Sequence, residues 1–260
     1  MTLFNHKVIY TILKVNCDES PNMSKADYKN PVPSKSQHAL IVQQLGLKIV
    51  SGEIAENEKI PSELELCEEF QVSRPVFREA IRVLNAKGLT YSRPKIGTVV
   101  RPRDEWYMLD PDVLFWLIQS TPENEFFKTL STVRKVLEPE LAYIAASTAT
   151  EQDIESIKTA YDGMEKAKTV AEFIQPDIEF HLAIAKATHN DLLAYMSKML
   201  VLPLQHSIQA TSLRPNLQKH SLPRHKAIMT AIENKDPLSA RHASLVQLED
   251  AKMAYDLIKK

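Results

Sequence analysis

Three arginines, Arg74, Arg78 and Arg82, recur every four residues in VSRPVFREAIRVLNAKGL, residues 72–89. That spacing places them on one face of a helix, with Phe77, Ile81 and Leu84 on the other. An arginine fork can take the O6 and N7 acceptors of guanine, so such a row suits the reading of base edges in DNA. A second group lies farther along, where Asp177 and His181 in DIEFH stand four apart and His225 follows in PRHKAI. An aspartate and a histidine one helical turn apart can share a divalent cation, with a further imidazole brought in by a facing helix. Each group also has a plainer use. The arginines could form a solvated face paired with acidic neighbours, and the Asp–His pair could be a helix-surface hydrogen bond.

The arginines need a helix to hold them, and the surrounding text supplies a sequence of elements. SQHALIVQQLGLKIVSGEI has a helical apolar period and a Ser-Gly stop. In IPSELELCEEF, Ser62 is an N-cap with Glu65 three residues on, a capping-box arrangement. Ser73 caps a third helix that runs to about Ala86 and ends at Gly88. LTYSRPKIGTVV then reads as two short strands about a Pro-Lys-Ile-Gly turn. This order of helix, helix, turn, helix and two-stranded wing is that of a winged helix-turn-helix, whose second motif helix enters the major groove by its N-terminal end. Ser73, Arg74 and Arg78 are then the base-reading candidates, and Arg93, Lys95 and Gly97 of the wing suit phosphate or minor-groove approach.

The chain has 260 residues and a formal net charge of −1. The global balance hides local segregation. Between residues 74 and 103 eight basic residues stand against Glu79 alone, and Glu63, Glu65, Glu68 and Glu69 cluster just before. Cys17 and Cys67 form no recognisable pair or metal spacing, which suits a reducing cytoplasm. No apolar run approaches the roughly 20 residues that span a bilayer, and VIYTIL is too short for a signal peptide. Only five glycines occur, so the fold class is mainly α. We divide the chain into a flexible extension over 1–34, a winged-helix domain over 35–103, a linker over 104–111 and an all-helical bundle of about seven helices over 112–260. Nothing downstream depends on the first 22 residues, so Met23 is an alternative start.

PSELELCEEFQVSRPVFREAIRVLNAKGL, with GTVV closing the wing, resembles the N-terminal signature of GntR-family bacterial transcription regulators. The resemblance assigns the family's DNA contacts to Ser73, Arg74 and Arg78, with wing contacts near Lys95–Gly97. Two departures stand out: Leu64 occupies a position where many members are basic, and Glu56–Lys59 replaces the usual Pro-Gly. Residues 112–258 resemble the FCD effector domain of one GntR subgroup, a bundle that commonly binds a divalent metal such as zinc, nickel or manganese through an aspartate and three histidines. Asp177, His181 and His225 match that pattern, while Gln247 stands where the third histidine is expected. His242, five positions early, faces elsewhere on its helix. The resemblance further implies a carboxylate pocket with Arg134 as a forked clamp; His206 lies outside the motif and is a further candidate effector contact on its position alone. EWYMLDPDVLFW looks like the linker of sugar-acid-responsive members of the galactonate type.

These features point to a cytoplasmic, homodimeric regulator, most simply a repressor, that binds palindromic operator DNA and answers to a small carboxylate. A metal-dependent helical hydrolase with a DNA-binding appendage and a regulator that senses metal alone are the competing readings. No nucleophile–base pair, glycine-rich phosphate loop or carboxylate dyad stands out to favour an enzyme.

Overall fold

The structure, a computed structural model, describes residues 36–211 and 217–258. The 1–34 extension, Cys17, the alternative start at Met23 and the helix break expected at Arg214–Pro215 lie outside the described residues.

Helix α1 (Gln37–Val50) buries Ile41, Leu45 and Ile49, spaced by four, together with Val42, Gly46 and Val50. Helix α2 (Glu63–Glu69) starts at the capping box that the sequence predicts: the Ser62 hydroxyl accepts from the Glu65 amide and the Glu65 carboxylate accepts from the Ser62 amide. Helix α3 (Arg74–Ala86) buries Phe77, Ala80, Ile81 and Leu84. It ends in a Schellman turn, with Gly88 at φ +75° donating to Asn85 and Leu89 donating back to Leu84. A Cβ at 88 would also meet the Glu105 carbonyl at 2.8 Å, so two constraints demand glycine there. Strands β1 (Thr90–Arg93) and β2 (Gly97–Val100) form the antiparallel wing, in register from Thr90–Val100 to Arg93–Gly97.

The wing is broader than the sequence suggests. The Glu56–Lys59 segment turns at Asn57, which takes a positive φ of 63°, and Lys59 bridges Val99 across the far edge of β2. The amides of Ile60 and Val100 donate to Thr98 and Glu58 across that edge. Asn tolerates the left-handed region better than most residues, so it can turn the chain where the resemblance leads one to expect Pro-Gly.

Helix α4 (Pro111–Ser120) is N-capped by Asp110, whose carboxylate accepts from the amides of Asp112 and Val113. The sequence division puts this helix with the bundle, but Val113, Trp116 and Leu117 pack in the winged-helix core among the same residues as Leu45, Phe77 and Leu84, while a smaller contact reaches the helix over Val201–Thr211. Trp116 lies flat over α1 at Gly46, where an added Cβ would fall 2.4 Å from the indole ring. Nor is 104–111 a free linker. The Trp106 indole donates to the Arg101 carbonyl, and Lys87 at the end of α3 holds both Asp110 and Asp112, at 2.9 and 2.6 Å. Gly46→Ala is therefore expected to lower stability by about 1–3 kcal/mol through overpacking. A lower midpoint in urea unfolding followed by tryptophan fluorescence is the expected reading; an unchanged midpoint means that the ring yields freely.

The bundle comprises α5 (Glu123–Thr148), α6 (Glu151–Lys166), α7 (Val170–Lys186), α8 (Asp191–Met199), α9 (Val201–Thr211), α10 (Leu217–Glu233) and α11 (Pro237–Ile258). Helix α5 packs along α11, α6 along α7, and α10 against α6 and α11. Small residues on α5 (Ala142, Ala145, Ala146) allow close approach, and Ile157, Met164, Phe173, Phe180, Ile228 and Ile232 fill the interior. A smaller cluster joins Ile178 of α7 to Val201, Leu204 and Ile208 of α9. Among the described residues eight helices follow Arg103–Glu105, against about seven expected, because the chain breaks again at Leu200. His225 lies in the body of α10, with Pro223 tolerated inside the helix. Among the described residues no helix is long and apolar enough to cross a membrane.

Candidate nucleic-acid interface and metal centre

The base-reading candidates of α3 stand in the open. Ser73 sits at the N-cap in extended conformation with its hydroxyl uncommitted to capping, and Ser73, Arg74 and Arg78 are all exposed. Arg74 and Arg78 converge on one carboxylate, that of Glu63 at the start of α2, at 3.8 and 3.1 Å. Arg82 pairs instead with Glu79 on its own helix, so the row of three divides into two residues at the leading end and one tied along the side. On the wing Arg93 lies over the Tyr91 ring, 4.9 Å from its centre, while Lys95 and Gly97 hold the positive φ values of the turn. Ile96 caps the turn with 43% of its surface exposed, an apolar tip that follows Arg93 and Lys95. Leu64 is exposed beside Glu63 and brings no positive charge to the α2 end of this face. Glu63 is the residue that sequence reasoning passed over. Its signal is the Pro-Ser-Glu motif itself, which places a carboxylate at the first turn of α2.

The second constellation is buried and assembled from two helices. Helix α7 supplies Asp177 and His181, and α10 supplies His225. One ligand atom from each falls within 4.8 Å of the others. His225 is 1% exposed and Asp177 6%, so neither charge nor lone pair is spent on water. Phe180 walls the site, meeting the His181 and His225 rings edge-on at 5.8 and 5.1 Å. The His225 Nδ1 lies 3.0 Å from the Ser221 carbonyl, which fixes it as the donor and turns Nε2 toward Asp177. Nε2 and the Asp177 Oδ1 approach to 2.8 Å without hydrogen-bond alignment. Burial works to depress the His225 pKa, but the Asp177 carboxylate and the Ser221 carbonyl outweigh it and hold the pKa above its usual value. Burial works to raise that of Asp177, and His225, His181 and Arg134 hold it low. Desolvation prevails at His181, whose pKa is lowered despite Glu138 and Asp177.

The fit to a metal ion can be tested on the atoms left over. The Asp177 Oδ1, the His181 Nε2, the His225 Nε2 and the Gln247 Oε1 are all buried without a hydrogen-bond partner. Stranding one such atom costs about 1–3 kcal/mol; the Asp177 and His225 atoms face one another at 2.8 Å, but the His181 Nε2 has only the Asp177 carboxylate at 3.7 Å. Two imidazoles and a carboxylate whose ligand atoms lie within 4.8 Å of one another are a donor set for a divalent ion. The residues fit.

Arg134 does not present an open fork. It is 7% exposed and doubly engaged by Glu138, through Nε at 2.5 Å and Nη2 at 3.2 Å. The same carboxylate lies 3.4 Å from the His181 Nδ1, on the side of the ring away from the cluster. Glu138 is thus a missing member of the site. Its i,i+4 relation to Arg134 can be read from the sequence, but spacing alone does not tell which face of α5 is covered. His206 on α9 packs edge-on against Phe126, 5.9 Å between ring centres, and is no part of the ligand cluster. His189 bonds Asp153 at 2.9 Å just before the Asn190 cap of α8.

An exposed basic helix leading a motif with a wing, joined to a helical bundle with a polar centre, defines a regulator that reads DNA with one part and senses with the other. Comparison with known proteins agrees. Residues 38–100 match the profile of the gntR family of bacterial regulatory proteins, and 129–250 match the FCD domain. The galactonate operon transcriptional repressor of Escherichia coli is 34% identical over 211 residues, 80% of this chain and 92% of that protein. The transcriptional repressor NanR of Cronobacter sakazakii is 29% identical over 233 residues, 87% of this chain and 88% of that one. Among solved structures Lar, described as controlling the Listeria monocytogenes agr system, shares the fold with a TM-score of 0.59 at 18% identity, covering 85% of this chain and 97% of its own. The chain belongs to the GntR family of transcription regulators, in the subgroup that carries an FCD domain.

Proposed function

We propose that this DNA-binding regulator acts in the cytoplasm as a homodimeric repressor whose buried centre takes a divalent ion and a small carboxylate, a sugar acid above all. The observation that carries the reading is the buried convergence of one ligand atom each from Asp177, His181 and His225 within 4.8 Å, with Gln247 buried at the position where the family has a further ligand. The likeness to the galactonate operon repressor supports a sugar acid as effector. Ser73, Arg74 and Arg78 would read base edges, with Arg93, Lys95 and Gly97 on the flanking backbone. Two such heads related by a two-fold axis would match a palindromic operator. We place the boundary of the head after Ser120 rather than before Asp112, since α4 shares its core. Arg134 serves in this reading as the counter-charge of Glu138, and His206 as packing for α5. An effector that binds better to the head arrangement unsuited to the operator would release the DNA.

The test is a gel-shift titration of the full chain on an operator selected from random duplexes, with aldonic and hydroxy acids added before and after chelation. At least one acid should weaken DNA binding about tenfold or more, and chelation should abolish that response. A response that survives complete removal of metal would overturn the role of the ion, and indifference to every acid would overturn the effector class.

A further inference from the structure

The fixed charges around the buried centre bear on which carboxylates it can hold. Arg134 and Glu138 lie one turn apart on α5, both mostly buried and doubly bonded, so the pair adds no net charge to the centre. Asp177, 2.8 Å from His225 and 3.7 Å from His181, is the one formal charge outside that pair once both imidazoles are neutral. Gln247, buried on α11, carries no charge, as a ligating histidine there would carry none. Histidines that ligate an ion do so as neutral imidazoles. The chain therefore brings a charge of −1 to the centre, and a divalent ion turns that into +1.

A net charge held away from water is costly, and a ligand with one negative charge removes it. A ligand with two leaves the same magnitude with the opposite sign. We propose, resting on the reading of this site as a metal-assisted effector site, that the Arg134–Glu138 pair and the lone Asp177 tune the centre to acids with one carboxylate and against acids with two. Aldonic and hydroxymonocarboxylic acids are the class selected; aldaric acids of the same skeleton are disfavoured. Glu138 is then a specificity-determining residue that touches neither ion nor acid. It acts by cancelling Arg134, and through its approach to His181.

The experiment compares galactonate with galactarate, and gluconate with glucarate, by calorimetric titration of the full chain saturated with manganese or zinc. Each aldonate should bind about tenfold or more tightly than its aldarate, a difference of ~1.4 kcal/mol. Glu138→Gln keeps the shape but raises the centre by one positive charge, so at saturating ion the preference should shrink or invert. Equal or tighter binding of the aldarates by the unaltered protein overturns the proposal, as does a folded Glu138→Gln variant with an unchanged ratio. Failure of both acids of each pair to bind the metal-loaded protein overturns it as well. Should the variant not fold, the ratio in the unaltered protein decides. Metal uptake, measured separately by equilibrium dialysis, distinguishes a wrong charge rule from a centre that holds no ion at all.

Discussion

Arg74→Ala is expected to weaken specific operator binding by about 1–3 kcal/mol, roughly 5- to 160-fold in Kd, and to relax discrimination at one base pair in each half-site. The residue opens α3, is two-thirds exposed, and stands at the end of the helix proposed to enter the groove. Its nearest protein partner, Glu63, is shared with Arg78 at distances of 3.8 and 3.1 Å. That sharing shapes the result, because the two guanidiniums must exchange one carboxylate for DNA on binding. Arg78→Ala should therefore cost a similar amount, while Glu63→Gln should cost nothing or tighten binding slightly by freeing both forks. Gel-shift titrations against the operator and its single-base variants decide the matter. Unchanged affinity and unchanged base preference in Arg74→Ala would remove α3 from its reading role.

His181→Ala is expected to reduce metal affinity by about 100-fold or more, and Gln247→His to raise it by about 10- to 100-fold. The first loses an imidazole whose Nε2 is buried without a partner in the cluster. The second replaces an amide oxygen, itself buried and unbonded, by the nitrogen donor that a divalent transition ion prefers. The unaltered protein should accordingly yield its ion to mild chelation. Competition with a chromogenic chelator reads all three forms. If His181→Ala retains its metal, the assignment fails; if Gln247→His changes nothing while His181→Ala abolishes binding, the fourth donor is not on α11 at that position.

The sequence was most informative where a local rule dictates the backbone. The Ser62–Glu65 box and the Gly88 stop depend on a few adjacent residues, and both formed as their residue types require. The same holds for the face of α3, since Phe77, Ile81 and Leu84 recur with the helical period. Non-local pairings were not legible. Lys59 joins the wing edge through backbone hydrogen bonding alone, which leaves no alternation to detect. Helix α4 shows an apolar face but not which core it will cover, and Trp116 chose the small surface at Gly46. Within the buried centre Asp177 and His181 were legible because they share one helix turn. Glu138 was not, because its importance comes from burial and from the approach of α7, neither of which spacing on α5 can report.

The attachment of α4 to the DNA-reading head bears on how such regulators can be recombined. Lys87 clamps Asp110 and Asp112, and Val113, Trp116 and Leu117 complete the core beneath α1. A hybrid spliced at the charged segment around residues 101–110 would pair this head with a foreign fourth helix and leave the slot over Gly46 filled by the wrong side chain. One spliced at Thr121–Pro122 would carry the whole mechanical unit across. Exchange of sensing modules between relatives should thus follow the seam between α4 and α5, where a proline already separates two helices, and not the seam that composition suggests.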